Sequence, residues 1–403
     1  MNRIILHIDV NNAFLSWTAV YLLRHGYETD IRTIPAVIGG DEKQRNGIVL
    51  AKSPIAKKYG VVTAETLYSA RKKCPNLKTY PPTYAFYTEM SNQLFNLLKA
   101  YSPDIEIASI DECYMDYGKV KDLYGDEVNF AYNLKNKIKH ELGFTVNIGI
   151  ANNKLCAKMA SDFTKPDKVH TLYDFEMKDK MYPLPIGELF GIGKKTSEKL
   201  QKLGINTISD LANFDVNILY KFFKNQAIEM INKARGIDDS EVVYWEVDPK
   251  GIGNETTLSH DVSNIKEVDG LLLALAEHVG IRLRKQKKHA CVVVVTIKNT
   301  SFKRYSHQRK LKNPTDVTNE IYKVALSIFN EMWNGEPIRL IGIRLDNLCE
   351  KVSHQVSLFD SIEEHENNSE LDKIIDGLKD KYGRNIITTA SLNNNDKFKK
   401  RLK

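Results

Sequence analysis

Apolar and polar positions along the chain change period several times. Ile4–Val10 is a nearly continuous apolar run ending beside an acid, as a buried strand does. Over Tyr84–Tyr101, Phe86, Met90, Leu94, Leu97 and Leu98 recur at helical spacing, which predicts a helix. IEIASIDECYMDY (105–117) reads as a strand pair broken by two adjacent acids. A helix over 126–142, a strand over Thr145–Ala151 and a helix over Lys154–Phe163 follow. Two-residue and 3.6-residue periods thus alternate, predicting an α+β domain of roughly 165 residues.

Residues 171–235 have only the helical period. The stretch 236–250 reads as a linker running into a strand near 245–257. Beyond it the pattern predicts a helix over Asn264–Lys287, strands over His289–Lys298 and Phe302–Lys312, and a final strand over Ile338–Asn347. Between the last two strands, Asn313-Pro314 is expected to cap a helix carrying Val317, Ile321, Val324, Ile328, Phe329 and Met332. The order is β-α-β-β-α-β, a split βαβ arrangement. Residues 351–403 are polar and Asn-rich and read as a mobile tail.

With 403 residues the chain is too long for one ordinary core, and 42% hydrophobic with 27% charged residues is a globular balance. The first apolar run is interrupted by His7 and Asp9, unlike a signal peptide. The longest apolar runs, Leu271–Ala276 and Cys291–Val295, are far below the ~20 residues of a membrane span. Five cysteines without CxxC spacing point to neither a zinc site nor a disulfide framework, so a cytoplasmic protein is expected. The net charge of +7 is modest but unevenly spread. Residues 281–310 hold ten Lys or Arg and no acid, whereas 361–380 is acidic. Basic density beside a strand pattern makes Arg282, Arg284, Lys303 and Arg304 candidates for phosphate contact.

Three acids stand out by context. Asp9 ends a buried strand, and Asp111-Glu112 lie between two strands with apolar residues on both sides. An Asp-Glu pair is ordinarily a solvated turn, but carboxylates at strand ends suit Mg²⁺, which prefers hard oxygen ligands. Two such ions promote phosphoryl displacement by activating the attacking oxygen and stabilising the leaving one. A second signal is LPIGELFGIGKKTSEKLQKLGINTISDL (184–211), where Gly191 and Gly193 flank Ile192, and Lys194 and Lys195 open an amphipathic helix. It reads as a helix-hairpin-helix whose amides approach a DNA phosphate; a plain glycine turn between helices is the alternative. Lys165, just beyond the helix after the Thr145–Ala151 strand, is a candidate triphosphate contact.

HIDVNNAF, SIDE, NIGIANNKLCAKMASDFTKPD and FGIGKKTSEKLQKLGI, in this order and spacing, resemble the motifs of the Y-family DNA polymerases, the translesion enzymes of the polymerase IV and UmuC type. The resemblance runs from about residue 3 to 360 and implies an α+β right-hand polymerase. Its palm would be 1–20 with 79–170, its fingers 21–78, its helical thumb 171–235, its linker 236–246 and its split-βαβ little finger 247–350. It further implies that Asp9 and Asp111 ligate two Mg²⁺ ions, Glu112 the catalytic one, and the Val10 carbonyl the nucleotide-associated one. Phe14 would be the steric gate under the sugar, and Lys165 would contact the incoming deoxynucleoside triphosphate. Where the family often has a Tyr and an Arg in the fingers, AKSPIAKKYGV places Pro54 and Lys57. Lys57 can serve a phosphate, although it lacks the forked guanidinium, and Pro54 cannot replace a hydroxyl. That stretch is similar to the sub-branch found on Gram-positive chromosomes, plasmids and phages.

QVSLFD (355–360) looks like the peptide that docks bacterial replication proteins on the sliding clamp, with Gln355, Leu358 and Phe359 as its anchors. The resemblance therefore implies a monomeric, low-fidelity, template-directed polymerase of DNA repair or SOS-type damage tolerance, acting on primer-template DNA. Two rivals remain open. A nucleotidyl cyclase or other palm-domain phosphotransferase would share the carboxylates without needing the hairpin. A non-catalytic DNA-binding accessory protein would keep the hairpin and basic surface without needing three carboxylates and Phe14.

Overall fold

The apolar run at the N-terminus becomes the central strand of a sheet, and the elements around it follow the alternating pattern. In the computed structural model, residues 3–42, 45, 47–245, 248–350, 362–383 and 386–387 are described. The chain begins with β1 (Ile5–Val10), α1 (Ala13–Arg24), β2 (Ala36–Gly39), β3 (Val49–Lys52), α2 (Pro54–Lys58), α3 (Leu67–Lys73) and β4 (Lys78–Tyr80). There follow α4 (Tyr84–Lys99), β5 (Ile105–Ile107), β6 (Glu112–Asp116), α5 (Lys121–Tyr124), α6 (Glu127–Leu142), β7 (Val146–Ala151), α7 (Lys154–Asp162) and β8 (Val169–Thr171). A helical stretch comprises α8 (Met177–Lys180), α9 (Lys194–Gln201), α10 (Ile208–Ala212), α11 (Val216–Phe223) and α12 (Gln226–Ala234).

A five-stranded sheet runs β5-β6-β1-β7-β8, with β1 antiparallel to both neighbours. Successive side chains of β1 point to opposite faces. Ile4, Leu6, Ile8 and Val10 join one core with Trp17, Tyr87 and Phe144, under α1, α4 and α6. On the other face Ile5 joins Leu155, Cys156 and Ala160 of α7. His7 and Asp9 share that second face by the same period. Gly149 lets α7 lie directly on the sheet: a Cβ there would sit 2.0 Å from the Ala157 carbonyl oxygen and 2.5 Å from the Ser161 nitrogen. A separate three-stranded sheet, β3-β2-β4, closes over Val37, Val49, Ala56, Leu67 and Ala70. Residues 236–243 are strapped down rather than free. The Asn153 amide donates to the Gly236 carbonyl at 2.8 Å, and the Val243 amide donates to Glu106 at 2.7 Å.

The second compact unit contains β9 (Gly251–Val262), α13 (Ile265–Lys285), β10 (His289–Asn299), β11 (Arg304–Thr315), α14 (Thr318–Met332), β12 (Ile338–Cys349) and α15 (Ile362–Tyr382). Its sheet order is β11-β10-β12-β9, all antiparallel, with α13 and α14 on the core face. Three expectations are corrected here. Asn313-Pro314 do not cap a helix: they lie within β11, and α14 starts at Thr318. β11 is an edge strand, where a proline without an N–H is tolerated. The first strand begins at Gly251, not near 245. The polar tail contains a docked helix. Asp372 and Asp376 of α15 pair with the Arg284 guanidinium at 3.1 and 2.7 Å, and Asp380 pairs with Lys285 at 2.9 Å. Their fourfold spacing places these acids along one side of α15. Part of the acidic run therefore neutralises part of the basic run inside the same unit.

The seating of α7 has a measurable consequence. Gly149→Ala should lower stability by about 1–3 kcal/mol, the usual cost of forcing extra atoms into a packed interior. The urea midpoint of the first unit measures it, and an unchanged midpoint would contradict the close seating.

Candidate active site

The register of β1 against β6 places Asp9 directly opposite Glu112, with Asn147 of β7 across on the other side. Asp111 occupies the turn just before β6, and its carbonyl accepts the Val10 amide at 3.0 Å. Ser109 Oγ donates to Asp111 Oδ1 at 2.7 Å, and Ser91 Oγ of α4 holds the Ile110 carbonyl at 2.6 Å. Strand pairing and turn geometry thus bring Asp9 to two acids about a hundred residues further along the sequence. Asp9, Val10, Asp111 and Glu112, all singled out in the sequence, share one end of the sheet.

Cations from α7 and its following loop meet these acids. Lys158 Nζ lies 2.9 Å from Asp9 Oδ2, 2.8 Å from Glu112 Oε2 and 3.5 Å from Asp162. Lys165 Nζ lies 3.1 Å from Asp9 Oδ2 and 2.8 Å from Asp162. Among the described residues no three His, Cys, Asp or Glu side chains are gathered as a finished metal cage. Their oxygens face ammonium groups instead. These are nevertheless the donors a hard divalent cation uses, and the ammonium groups mark where positive charge is accommodated.

The acids differ in electrostatic environment. Glu112 is drawn down to about 2, first by His7, whose Nε2 faces it at 3.4 Å, and then by Lys158. Burial lowers the His7 pKa, so the shorter contact to Lys158 is the more durable one. Asp111 is shifted the other way: burial raises it, Asp9 and Glu112 add to the rise, and the Ser109 bond only partly offsets it. Burial works against a charge on Lys158, but Asp9 and Glu112 outweigh it and raise its pKa.

A buried amide network fixes the loop that carries Lys165. Asn147 Nδ2 donates to the Ser161 and Thr164 carbonyls at 3.0 and 2.7 Å. Asn11 Oδ1 accepts from the Asp167 amide at 2.9 Å and from Thr145 at 2.9 Å. Phe14, in the first turn of α1, stacks on Tyr87 with centroids 4.7 Å apart and planes 10° apart. Tyr87 is locked through its hydroxyl, 2.7 Å from Thr18 Oγ1. The Phe14 ring is thereby held in one place.

In the β3–α2 corner, Ser53 caps α2 by accepting the Ala56 amide, and Pro54 fills the first helical position. That is a structural role suited to proline, whose missing N–H is unneeded there. Lys57 is exposed. Lys52, which the sequence reading passed over, is its neighbour: burial lowers the Lys52 pKa, and the Lys57 charge lowers it further.

In the helical stretch, Gly191 adopts φ 92, and Gly193 is the N-cap of α9 without a side-chain cap. Ile192 between them is buried with Leu200 and Ile205, while Lys194 and Lys195 are exposed. The turn therefore exposes two glycines and two cations. In the second unit Arg282 donates to the Gly253 carbonyl at 2.9 Å, Lys303 lies over the Tyr305 ring at 5.3 Å, and Arg304 pairs with Glu255. Arg284 is a correction: its side chain is 7% exposed and engaged by Asp372 and Asp376, so it belongs to the interior of this unit. Gln355, Leu358 and Phe359 lie outside the described residues.

Sequence reasoning missed Lys158, Asn147 and Tyr87. Lys158, Asp162 and Lys165 recur at helical spacing, a signal that was present; the roles of Asn147 and Tyr87 depend on pairing across strands and helices.

Comparison with known proteins matches residues 8–162 to the impB/mucB/samB family, 176–205 to the IMS family HHH motif, and 249–358 to the impB/mucB/samB family C-terminal domain. The chain is 50% identical over 393 residues to "DNA polymerase IV" of Clostridium acetobutylicum, covering 97% of this chain and 98% of that one. It is 35% identical over 393 residues to "DNA polymerase IV 1" of Bacillus subtilis, covering 96% and 92%. Among solved structures, a Y-family DNA polymerase chimera matches with a TM-score of 0.75 at 24% identity, covering 86% of this chain and all of that one. That likeness is one of fold, an α+β polymerase.

The opposite shifts of Asp111 and Glu112 predict opposite effects in metal-free buffer at pH 7. Glu112, depressed to about 2 from an ordinary 4.5, adds stability that is complete above about 4.5 and lost as pH falls through 2. Asp111, raised, costs stability once ionised. Asp111→Asn should raise the melting temperature and Glu112→Gln lower it, each on the order of 2–4 °C. Calorimetry at pH 7 decides: shifts of the same sign would refute these environments.

Proposed function

Because the chain belongs to the impB/mucB/samB family, the Y-family DNA polymerases, we propose that it extends a primer 3′ end with deoxynucleotides under direction of a template. It works with low fidelity and passes damaged bases, as in repair or SOS-type damage tolerance. The observation that carries this reading is the pairing of Asp9 with Glu112 across β1 and β6, with Asp111 at the adjoining turn. On this reading 1–20 with 79–170 form the palm, 21–78 the fingers, 171–235 the thumb, 236–246 the linker and 247–350 the little finger.

The acids suit two Mg²⁺ ions: Asp9 and Asp111 would hold both, Glu112 one of them, and the Val10 carbonyl the other. When bound, such ions supply activation of the primer hydroxyl and charge stabilisation for the departing pyrophosphate. The chain's own residues do the rest. Phe14, braced by Tyr87, blocks a 2′-hydroxyl by its position alone. Lys165 is held next to Asp9 and exchanges carboxylate contacts for triphosphate oxygens. Lys57, with Lys52 beside it, supplies positive charge from the fingers where a Tyr and Arg pair is absent. The amides at Gly191 and Gly193, with Lys194 and Lys195, grip a backbone phosphate without reading bases. Arg282 and Lys303 add sequence-independent charge from the little finger, and Arg304 does so by exchanging its Glu255 contact for a phosphate. Gln355, Leu358 and Phe359 dock on the sliding clamp, and the enzyme acts as a cytoplasmic monomer. No helix among the described residues is long and apolar enough to cross a membrane.

Primer extension on a template tests the reading. Wild type should add deoxynucleotides only with template and a divalent cation, and Asp111→Ala should lose at least about a hundredfold in rate. Template-independent or cation-independent addition would overturn the assignment. In the same assay Phe14→Ala should raise ribonucleotide incorporation by roughly 10–200-fold, the range over which a steric pocket discriminates. Equal rejection of ribonucleotides by both proteins would remove Phe14 from the gate.

A further inference from the structure

Lysine is almost never fully buried unless it is paired, and Lys158 is only 9% exposed. Its position is determined by the seating of α7: Asn153 caps the helix, Gly149 admits its backbone to the sheet, and Ser161, three residues on, is 2.8 Å from His7 Nδ1. An ammonium group has three N–H donors. Here three carboxylates surround it: Asp9 at 2.9 Å, Glu112 at 2.8 Å and Asp162 at 3.5 Å. Two of these are the acids assigned above to divalent cations, and the engaged atoms are Asp9 Oδ2 and Glu112 Oε2. Lys165 shares Asp9 Oδ2, His7 faces the same Glu112 oxygen, and Asp111 is turned to Ser109.

We infer that Lys158 is a resident counter-cation of the acid cluster. It holds Asp9 and Glu112 in position before a divalent cation arrives, and it competes with that cation for their oxygens. Without it, carboxylates at the same sheet end would repel one another and splay. With it, a bare divalent cation must displace an ammonium group already satisfied by its partners, so binding by the protein alone is weak. Triphosphate oxygens add ligands that the protein lacks, and occupancy of the site becomes contingent on a nucleotide. Lys158 is thus a positioning residue, acting through Asp9 and Glu112. The inference rests on the metal-site reading proposed above.

The test is direct Mn²⁺ binding to the full chain without DNA or nucleotide, followed by electron paramagnetic resonance, with melting temperature measured in parallel. Lys158→Gln should bind Mn²⁺ about tenfold or more tightly, since one nearby positive charge is removed. It should melt lower than wild type in chelator and recover most of that loss in Mn²⁺. Lys158→Arg keeps the charge and should bind Mn²⁺ as weakly as wild type. Adding Asp111→Ala to Lys158→Gln should abolish the gained affinity, which places the ion in this site. A residue that merely supports the fold would lower the melting temperature equally with and without Mn²⁺ and leave affinity unchanged; that result overturns the inference while leaving the metal site standing. If neither wild type nor Lys158→Gln binds Mn²⁺, the metal-site reading fails and the inference fails with it.

Discussion

Like charges held a few ångström apart must be compensated, and the compensation of Asp9, Asp111 and Glu112 organises this end of the sheet. Strand pairing leaves little choice in their placement: Asp9 is in register with Glu112, and the turn before β6 adds Asp111. A one-residue slip of β1 would send Asp9 into the apolar core beneath α4 and α6 and expose Ile8 on the face of α7. The alternation of Ile4, Leu6, Ile8 and Val10 into that core therefore protects the register, and through it the meeting of Asp9 with Glu112.

The opposing charge arrives from one helix, and its arrival depends on a missing side chain. Gly149 leaves room for the α7 backbone, and this proximity brings Lys158 to the acids and His7 to Ser161. Asn147 and Asn11, buried at the same level, then fix the following loop and with it Lys165. Such amide networks are stabilising only when nearly every donor and acceptor is used. The cluster is accordingly rigid around its acids on the protein side and adaptable only where charged groups can exchange partners.

Much of this was legible before the fold was known, and the limits have physical reasons. Asp9, Asp111 and Glu112 could be picked out because acids inside apolar strands are costly and demand an explanation. The split-βαβ order was readable because its periods are long and regular. Boundaries failed where local chemistry had two meanings. Asn-Pro at 313–314 is a plausible helix start, but an edge strand tolerates it equally. Lys158 was overlooked because a lysine on an amphipathic helix is usually solvated, and only the third dimension shows which face is covered. Residues 362–382 looked like tail because their polarity is high, yet polarity on one side of a helix is what a basic partner selects.

That last case bears on how positive charge is read. The run 281–310 is uniformly basic in sequence, but its members have separate fates in the fold. Arg284 turns inward to Asp372 and Asp376, and Lys285 is matched by Asp380. Arg304 is paired with Glu255 and Arg309 with Glu331, whereas Lys310 remains exposed on β11. Phosphate binding releases counterions only from charges that the protein has not already neutralised. The electrostatic surface of this unit is therefore smaller than its composition implies. At the end of α13, α15 has taken up Arg284 and Lys285, whereas Arg282 donates to the Gly253 carbonyl and keeps its charge.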